Sequence, residues 1–270
     1  MRDSIIERVR LVKPRVHCIT NYVTANDCAN ILLACGASPI MADCPEESAE
    51  ITSLCGALVI NLGTPNPQRL EAMLISGKKA NELGIPVVFD PVGAGASRFR
   101  NDFALKLLRE VRLSIIRGNL SEIRSLAGAS SNKHGVDTTD IISDASIQSA
   151  AELAGKLSLK TGAVTAITGE TDVVADSYSA YCIHNGNPIM SSITGCGCML
   201  SALMGAFSAV TDDILKAATE AVTAMDVCGQ TAAEQLLPHE GNASCRNRLI
   251  DAVYLLNTDT LTSSANIKKL

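Results

Sequence analysis

The run Thr194-Gly195-Cys196-Gly197-Cys198, continuing through apolar and small residues to Val210, alternates two glycines with two thiols. Glycines at that spacing permit a tight turn and close approach of backbone to a ligand. Good helix formers follow from Met199, so Gly197 or Cys198 is predicted to lie near a helix N-terminus. The first N–H groups of a helix have no partner inside it, and the helix dipole adds positive potential. Such an end holds an anion, typically a phosphate. A thiol in that field is expected to have a lowered pKa and to act as a base or nucleophile. The same residues also read as a packed helix start with inert cysteines.

Three further clusters carry polar groups where apolar runs end. Asp90 closes one run before Pro91-Val92-Gly93-Ala94-Gly95, where a carboxylate is a natural magnesium ligand or, alternatively, a turn former. Arg117-Gly118-Asn119-Leu120-Ser121-Glu122 closes the next. Arg117 suits nucleotide phosphates, and Asn119 with Glu122 suits either a hydrated metal or a capping box. Thr168 ends a third run with a hydroxyl. Between His17 and Asn30, the residues Asn21, Asn26 and Asn30 stand near an apolar helix start, with Cys18 and Met41 close in the pattern. These are ingredients of a pocket for a small, uncharged, heteroaromatic or sulfur-bearing ligand.

These groups need a scaffold. Continuous apolar runs at 57–64, 84–95, 112–119 and 163–170 read as strands buried on both faces, as in a covered parallel sheet. Helical patterns at 68–83, 102–111 and 145–159 alternate with them, which predicts a doubly wound, mostly parallel α/β sheet with helices on both faces. Ligands in such folds sit beyond the C-terminal strand ends. Residues 1–16 read as an amphipathic helix, and a helix capped by Thr24 closes at Gly36. A short strand covers 38–42, and 172–187 reads as two antiparallel strands. From Gly197 the chain is nearly all helix, with segments at 215–235 and 246–256, and the tail from Thr262 looks frayed. Without a linker or repeat, residues 1–270 are expected to form a single domain.

Composition narrows the function. A net charge of −5, the absence of Trp and the scarcity of aromatics argue against nucleic acid as a partner. No apolar stretch reaches the length of a membrane span, and the first fifteen residues are rich in charge, so no membrane association and a cytoplasmic location are expected. The ten cysteines show neither a C-x-x-C pair nor zinc spacing with histidine. Walker A, dinucleotide-binding G-x-G-x-x-G and H-E-x-x-H patterns are missing. His134, His184 and His239 fall in loop-like segments, leaving His17 as the one histidine near a strand end.

Taken together, HCITNYVTANDCAN, ASPIM, VFDPVGAGAS, IRGNLSEI, AITGE and the Gly-Cys-Gly-Cys turn resemble, in the same order, the hydroxyethylthiazole kinase family of the ribokinase-like superfamily. The resemblance runs from about residue 15 to residue 256. It implies ATP-dependent phosphorylation of 4-methyl-5-(2-hydroxyethyl)thiazole, a thiamine salvage step with Mg2+ as the metal. By motif, Asp90 and Glu122 would serve magnesium, and Arg117 and Thr168, with Asn119 beside them, the nucleotide. Met41 and Gly195 would line the thiazole pocket, with Asn21 and Asn26 close by. Cys198 falls where most ribokinase-like kinases carry the Asp that takes the hydroxyl proton. A homotrimer with sites between subunits is also implied. Two positions depart from the family pattern: Cys196 replaces a small residue, and Gly241-Asn242-Ala243-Ser244-Cys245 replaces Gly-Pro-Gly-Ser-Phe. Other readings are a related ribokinase-like small-molecule kinase, a thiol hydrolase with Cys198 as nucleophile, and a non-catalytic thiazole- or nucleotide-binding protein.

Overall fold

The apolar runs form the centre of a nine-stranded sheet in the computed structural model, which describes residues 4–128 and 144–270. The strands are β1 (Arg15–Ile19), β2 (Ser38–Ile40), β3 (Ala57–Asn61), β4 (Val87–Asp90), β5 (Ile115–Asn119), β6 (Val164–Thr168), β7 (Asp172–Ala175), β8 (Ala180–Ile183) and β9 (Ile267–Lys269). Their spatial order is β2-β1-β3-β4-β5-β6-β7-β8-β9. Pairing is parallel from β2 to β6 and antiparallel from β6 to β9.

Alternate strand residues enter two separate cores, because successive side chains of a strand point to opposite faces. Val59, Val88, Ile115 and Ala166 join the core on one face, while Leu58, Phe89, Ile116 and Ile167 join the other. The first core is covered by α1 (Ile5–Val12), α2 (Ala25–Cys35), α8 (Cys196–Ser208), α9 (Ile214–Glu234), α10 (Asn242–Leu255) and α11 (Thr258–Ser264). The second lies under α4 (Pro67–Leu83), α5 (Arg98–Glu110), α6 (Leu120–Ala127) and α7 (Asp144–Thr161), and α3 (Pro45–Ser53) packs on α4. The doubly wound architecture expected from the sequence is therefore present. Among the described residues no helix is long and apolar enough to cross a membrane.

Three local expectations are corrected. The N-terminal helix stops at Val12, where Lys13 takes a left-handed backbone, and the chain re-enters the sheet as β1. That strand escapes a hydropathy reading because a polar ring, His17, stands in its middle. Helix α3 was also not anticipated, although Pro45 at its first turn and Glu46 and Glu47 behind it suit a helix N-terminus. The tail is ordered rather than frayed: α11 is capped by Asn257, and β9 extends the sheet by pairing with β8. Its side chains are exposed, so backbone pairing and not hydrophobicity fixes it. His184 and His239 are exposed, and His134 lies outside the described residues.

His17 is completely buried. Its Nε2 meets the Ala42 carbonyl at 2.8 Å and its Nδ1 lies 2.9 Å from Thr52 Oγ1. The ring thus ties β1 to the chain after β2 and to α3. Burial pulls the imidazole below its usual 6.5, opposed in part by the bond to Ala42. The unfolded chain then binds a proton that the folded chain refuses, so this stability is complete above about pH 6.5 and is lost as pH falls below it. His17→Gln is expected to flatten the fall of the thermal midpoint between about pH 7 and about pH 5. A variant with the parental slope would contradict this role.

Candidate active site

Four parallel strands end side by side, and each end contributes polar groups. The register sets Asn61 of β3 beside Asp90 of β4, and Asn119 of β5 beside Thr168 of β6. Asp90 is fully buried. Its Oδ2 accepts hydrogen bonds from Asn61 Nδ2 (2.9 Å) and Ser201 Oγ (2.8 Å), and Arg117 Nη1 stands 3.6 Å away. Its Oδ1 is buried with no hydrogen-bond partner. A buried charge with one oxygen left bare is costly unless something else completes it. Burial pushes the Asp90 carboxyl up, and Arg117, Ser201 and Asn61 pull it back.

Arg117 reaches across the end of β5. Its Nη2 donates to Thr168 Oγ1 at 2.5 Å, which joins the two residues expected on the nucleotide side. Burial works to lower the pKa of the guanidinium, but the neighbouring Asp90 and Glu122 carboxylates reverse this and hold it charged. Asn119 and Glu122 form the capping box of α6. Asn119 Oδ1 accepts from the Glu122 N–H and Glu122 Oε2 from the Asn119 N–H, each at 2.9 Å. Glu122 Oε1 also accepts the Gly93 N–H at 2.8 Å, so it pins the Asp90–Gly95 turn. The structural and chemical readings of this motif are thus compatible: Glu122 is a cap whose carboxylate lies beside Asp90 and Arg117. Burial first and Asp90 second raise its pKa.

Helix α8 begins at Cys196 with Gly195 as its N-cap, one to two residues earlier than the sequence suggests. Gly195 has φ +96°, and a Cβ there would lie 2.8 Å from Thr24 Cγ2. At Gly197 the constraint is space: an added Cβ would sit 2.2 Å from Arg117 Nη1. A guanidinium therefore lies directly against a helix N-terminus. Both are positive, and together with the unpaired first N–H groups of the helix they make a strong anion site.

Cys198 faces the neighbouring hollow, with Asn21 Nδ2 and Asn61 Nδ2 each donating to its Sγ at 3.3 Å. Asn61 Oδ1 in turn accepts from Asn21 Nδ2 (3.1 Å) and the Gly63 N–H (2.9 Å). The expected lowering of the thiol pKa does not occur. Burial raises it, and the Asp90 charge raises it further, outweighing Arg117, Thr24 and Asn21. Cys198 is thus held as a neutral thiol. Cys196 is likewise pushed up to about 12 by burial. Neither can be activated by His17, whose two ring nitrogens are engaged with Thr52 and Ala42. That removes the thiol hydrolase.

The hollow has a volume of about 300 Å3 and is lined by Asn21, Thr24, Thr64, Arg100, Gly195 and Cys198 among others. Thr64 holds a left-handed backbone (φ +42°) and is fixed by Arg69, whose Nη1 donates to both its carbonyl (3.0 Å) and its hydroxyl (2.9 Å). Arg100 Nη1 donates to Leu62 O (2.5 Å) and Val92 O (2.7 Å), joining the loops after β3 and β4. Asn61, Ser201 and Arg100 were not singled out from the sequence, and Thr24 only as a helix cap. Asn61 and Ser201 lie inside apolar segments and gave no signal, while Arg100 follows the DPVGAG turn closely enough to have been suspected. Met41 and Asn26 do not line the hollow within one chain. Both are exposed, and Asn26 Oδ1 accepts from Asn30 Nδ2 at 3.0 Å. In the departing C-terminal segment, Cys245 is buried in the core and Asn242 Nδ2 donates to Ser192 O at 2.9 Å. A larger groove of about 670 Å3 lies at the opposite strand ends, near Gly56, Pro86 and Ser114, away from all of these groups.

The described residues contain no cluster of three or more His, Cys, Asp or Glu that could enclose a metal. Magnesium does not need one. It keeps several waters and binds through one or two carboxylates together with substrate phosphates. The bare Oδ1 of Asp90, with Glu122 beside it, fits that mode of binding.

The family model described as "Hydroxyethylthiazole kinase family" matches residues 6–259. Among similar proteins, "Hydroxyethylthiazole kinase" of Clostridium acetobutylicum is 51% identical over 268 residues, covering 98% of each chain. The solved structure of a hydroxyethylthiazole kinase protein from Pyrococcus horikoshii OT3 matches with a TM-score of 0.88 at 35% identity, over 98% of this chain and 97% of that one. A ribokinase-like superfamily protein from Enterococcus faecalis shares the fold alone, with a TM-score of 0.58 at 12% identity over 93% and 90% of the two chains. With the family model spanning most of the sequence, and relatives this similar along the full length, the chain belongs to the hydroxyethylthiazole kinase family.

Proposed function

We propose that the chain, acting as one kinase domain, transfers the γ-phosphoryl group of ATP to the primary hydroxyl of 4-methyl-5-(2-hydroxyethyl)thiazole in thiamine salvage. One observation carries the reading. The N-terminus of α8, with Arg117 packed against Gly197, lies between a hollow closed by Cys198 and the paired carboxylates Asp90 and Glu122. Phosphoryl transfer needs in-line positioning and neutralisation of charge, and these groups supply both.

In this reading Arg117 and Thr168, with Asn119 at the adjoining strand end, face the nucleotide. Met41, Gly195, Asn21 and Asn26 belong to the thiazole side. Asp90 and Glu122 would hold a hydrated Mg2+, which when bound supplies positive charge to the phosphate oxygens. The backbone N–H groups after Gly195 would receive the transferring phosphoryl. The hydroxyl oxygen forms its bond to phosphorus as the bond to the ADP oxygen breaks. Cys198 would meet that hydroxyl, its sulfur oriented by Asn21 and Asn61. A loose transition state makes little demand on the nucleophile, so the neutral thiol need only orient the hydroxyl, whose proton passes to an oxygen of the transferring phosphoryl group as the new bond forms.

Because Met41 and Asn26 lie outside the hollow of one chain, with Tyr22 and Val23 exposed at its rim, we read the working site as completed by a second subunit in a homotrimer. The ten free thiols suit a reducing cytoplasm.

Incubation with Mg-ATP and the thiazole alcohol is expected to yield ADP and a phosphate monoester in equal amounts, read by phosphorus NMR. Nucleotide binding without product would leave only a binding protein. Cys198→Ala removes the sulfur that orients the hydroxyl and is expected to lower kcat roughly 10²-fold with little change in thiazole KM, while Cys198→Asp, which adds a base, is expected to match or exceed the parent. An inactive Asp variant that folds and binds nucleotide would refute the role of Cys198. Light scattering is expected to find a trimer, with activity falling as dilution dissociates it. A fully active monomer would contradict the shared site.

A further inference from the structure

Two buried acids lie behind the nucleotide side and have no part in the chemistry above. Asp172 opens β7, and its Oδ1 accepts the N–H of Gly169 at 2.7 Å. Gly169 directly follows Thr168, so Asp172 fixes the turn that presents the Thr168 hydroxyl. Asp226 lies in α9, its carboxyl facing that of Asp172, and its Oδ2 is buried without a hydrogen-bond partner. Two carboxyl groups in contact away from water do not both ionise.

We propose that Asp172 and Asp226 share one proton and act as paired positioning residues, holding the Thr168–Gly169 turn in place for the nucleotide. The inference rests on the assignment of Thr168 to ATP. With the proton in place, the Asp226 O–H donates to Asp172, and Asp172 keeps an oxygen for Gly169. Burial raises the pKa of both acids, and for Asp226 the Asp172 charge adds to it. The groups facing the pair are Arg117 from β5, Cys196 from α8 and Cys228 from the same helix as Asp226. Both thiols are pushed up to about 12, so Arg117 is the cation among them. It is already shared with Asp90 and Glu122. Loss of the proton at high pH sets two negative charges against one another with little to neutralise them. Asp172 then moves off Gly169, and ATP binding weakens while the thiazole side is untouched.

The test compares Asp226→Asn, which can donate to Asp172 but cannot ionise, with Asp226→Ala, which can do neither. Asp226→Ala is expected to raise the ATP KM roughly tenfold, the worth of one lost charge-assisted hydrogen bond, and to leave the thiazole KM within about twofold. In the nucleotide-free protein it should also speed hydrogen exchange at the Gly169 amide. Asp226→Asn is expected to restore both values and to abolish the loss of ATP affinity expected of the parent as pH is raised. If the Ala variant does not fold, the pH profiles of parent and Asn variant decide. The proposal is overturned if Asn behaves like Ala, if Ala leaves ATP KM and Gly169 exchange at parental values, or if parent and Asn variant share one pH profile. Thr168→Val serves as the control. If it leaves ATP KM unchanged, the nucleotide assignment fails, and Gly169 exchange still reports on the pair by itself.

Discussion

A single buried carboxylate governs this molecule. Asp90 ends a central strand with no exposure to solvent, and everything around it either compensates or exploits its charge. Asn61 donates to it from the next strand, Ser201 from the helix above, and Arg117 approaches from the strand on the other side. Breaking a buried ion pair by removing one partner costs several kcal/mol, about 3–5, because the other charge is left uncompensated. The end of the sheet is therefore rigid for electrostatic reasons, and its one bare oxygen points to a task rather than to stability.

The same charge explains why the thiol at the site is quiet. A helix N-terminus alone would favour a thiolate at Cys198, but Asp90 and burial oppose it and prevail. Arg117 cannot do more for Cys198 because Asp90 and Glu122 already claim it. The result is a divided cleft. Positive charge from Arg117 and the start of α8 faces the strand ends, while a neutral thiol held by two amides faces the hollow. In the proposed reading a charged phosphate takes the first side and an uncharged alcohol the second.

Much of this was legible in the sequence, and what was not has physical causes. Runs such as Val87–Asp90 and Val164–Thr168 read as buried strands, and their polar ends announce the site. The capping box of Asn119 and Glu122 was readable from spacing, and the structure adds that Glu122 also holds Gly93. β1 was missed because His17 is satisfied by partners distant in sequence, so its burial leaves no local trace. β9 was missed because pairing with an edge strand requires backbone, not pattern. The pKa of Cys198 was misjudged because a local rule about helix ends cannot register a carboxylate more than a hundred residues away in the chain. Asn61 went unnoticed for the same reason: its partners Asp90, Cys198 and Asn21 converge only on folding.

The central claim is that the bare oxygen of Asp90 is kept for a magnesium ion that couples nucleotide binding to the site. Calorimetric titration with ADP, with and without Mg2+, measures that coupling directly in the parent and in Asp90→Asn, whose folding is checked by its thermal midpoint. The account predicts that the parent binds ADP more tightly with Mg2+, and that this gain disappears in a folded Asp90→Asn variant while Mg-free ADP binding persists. A folded variant that keeps the full magnesium-dependent gain would contradict it.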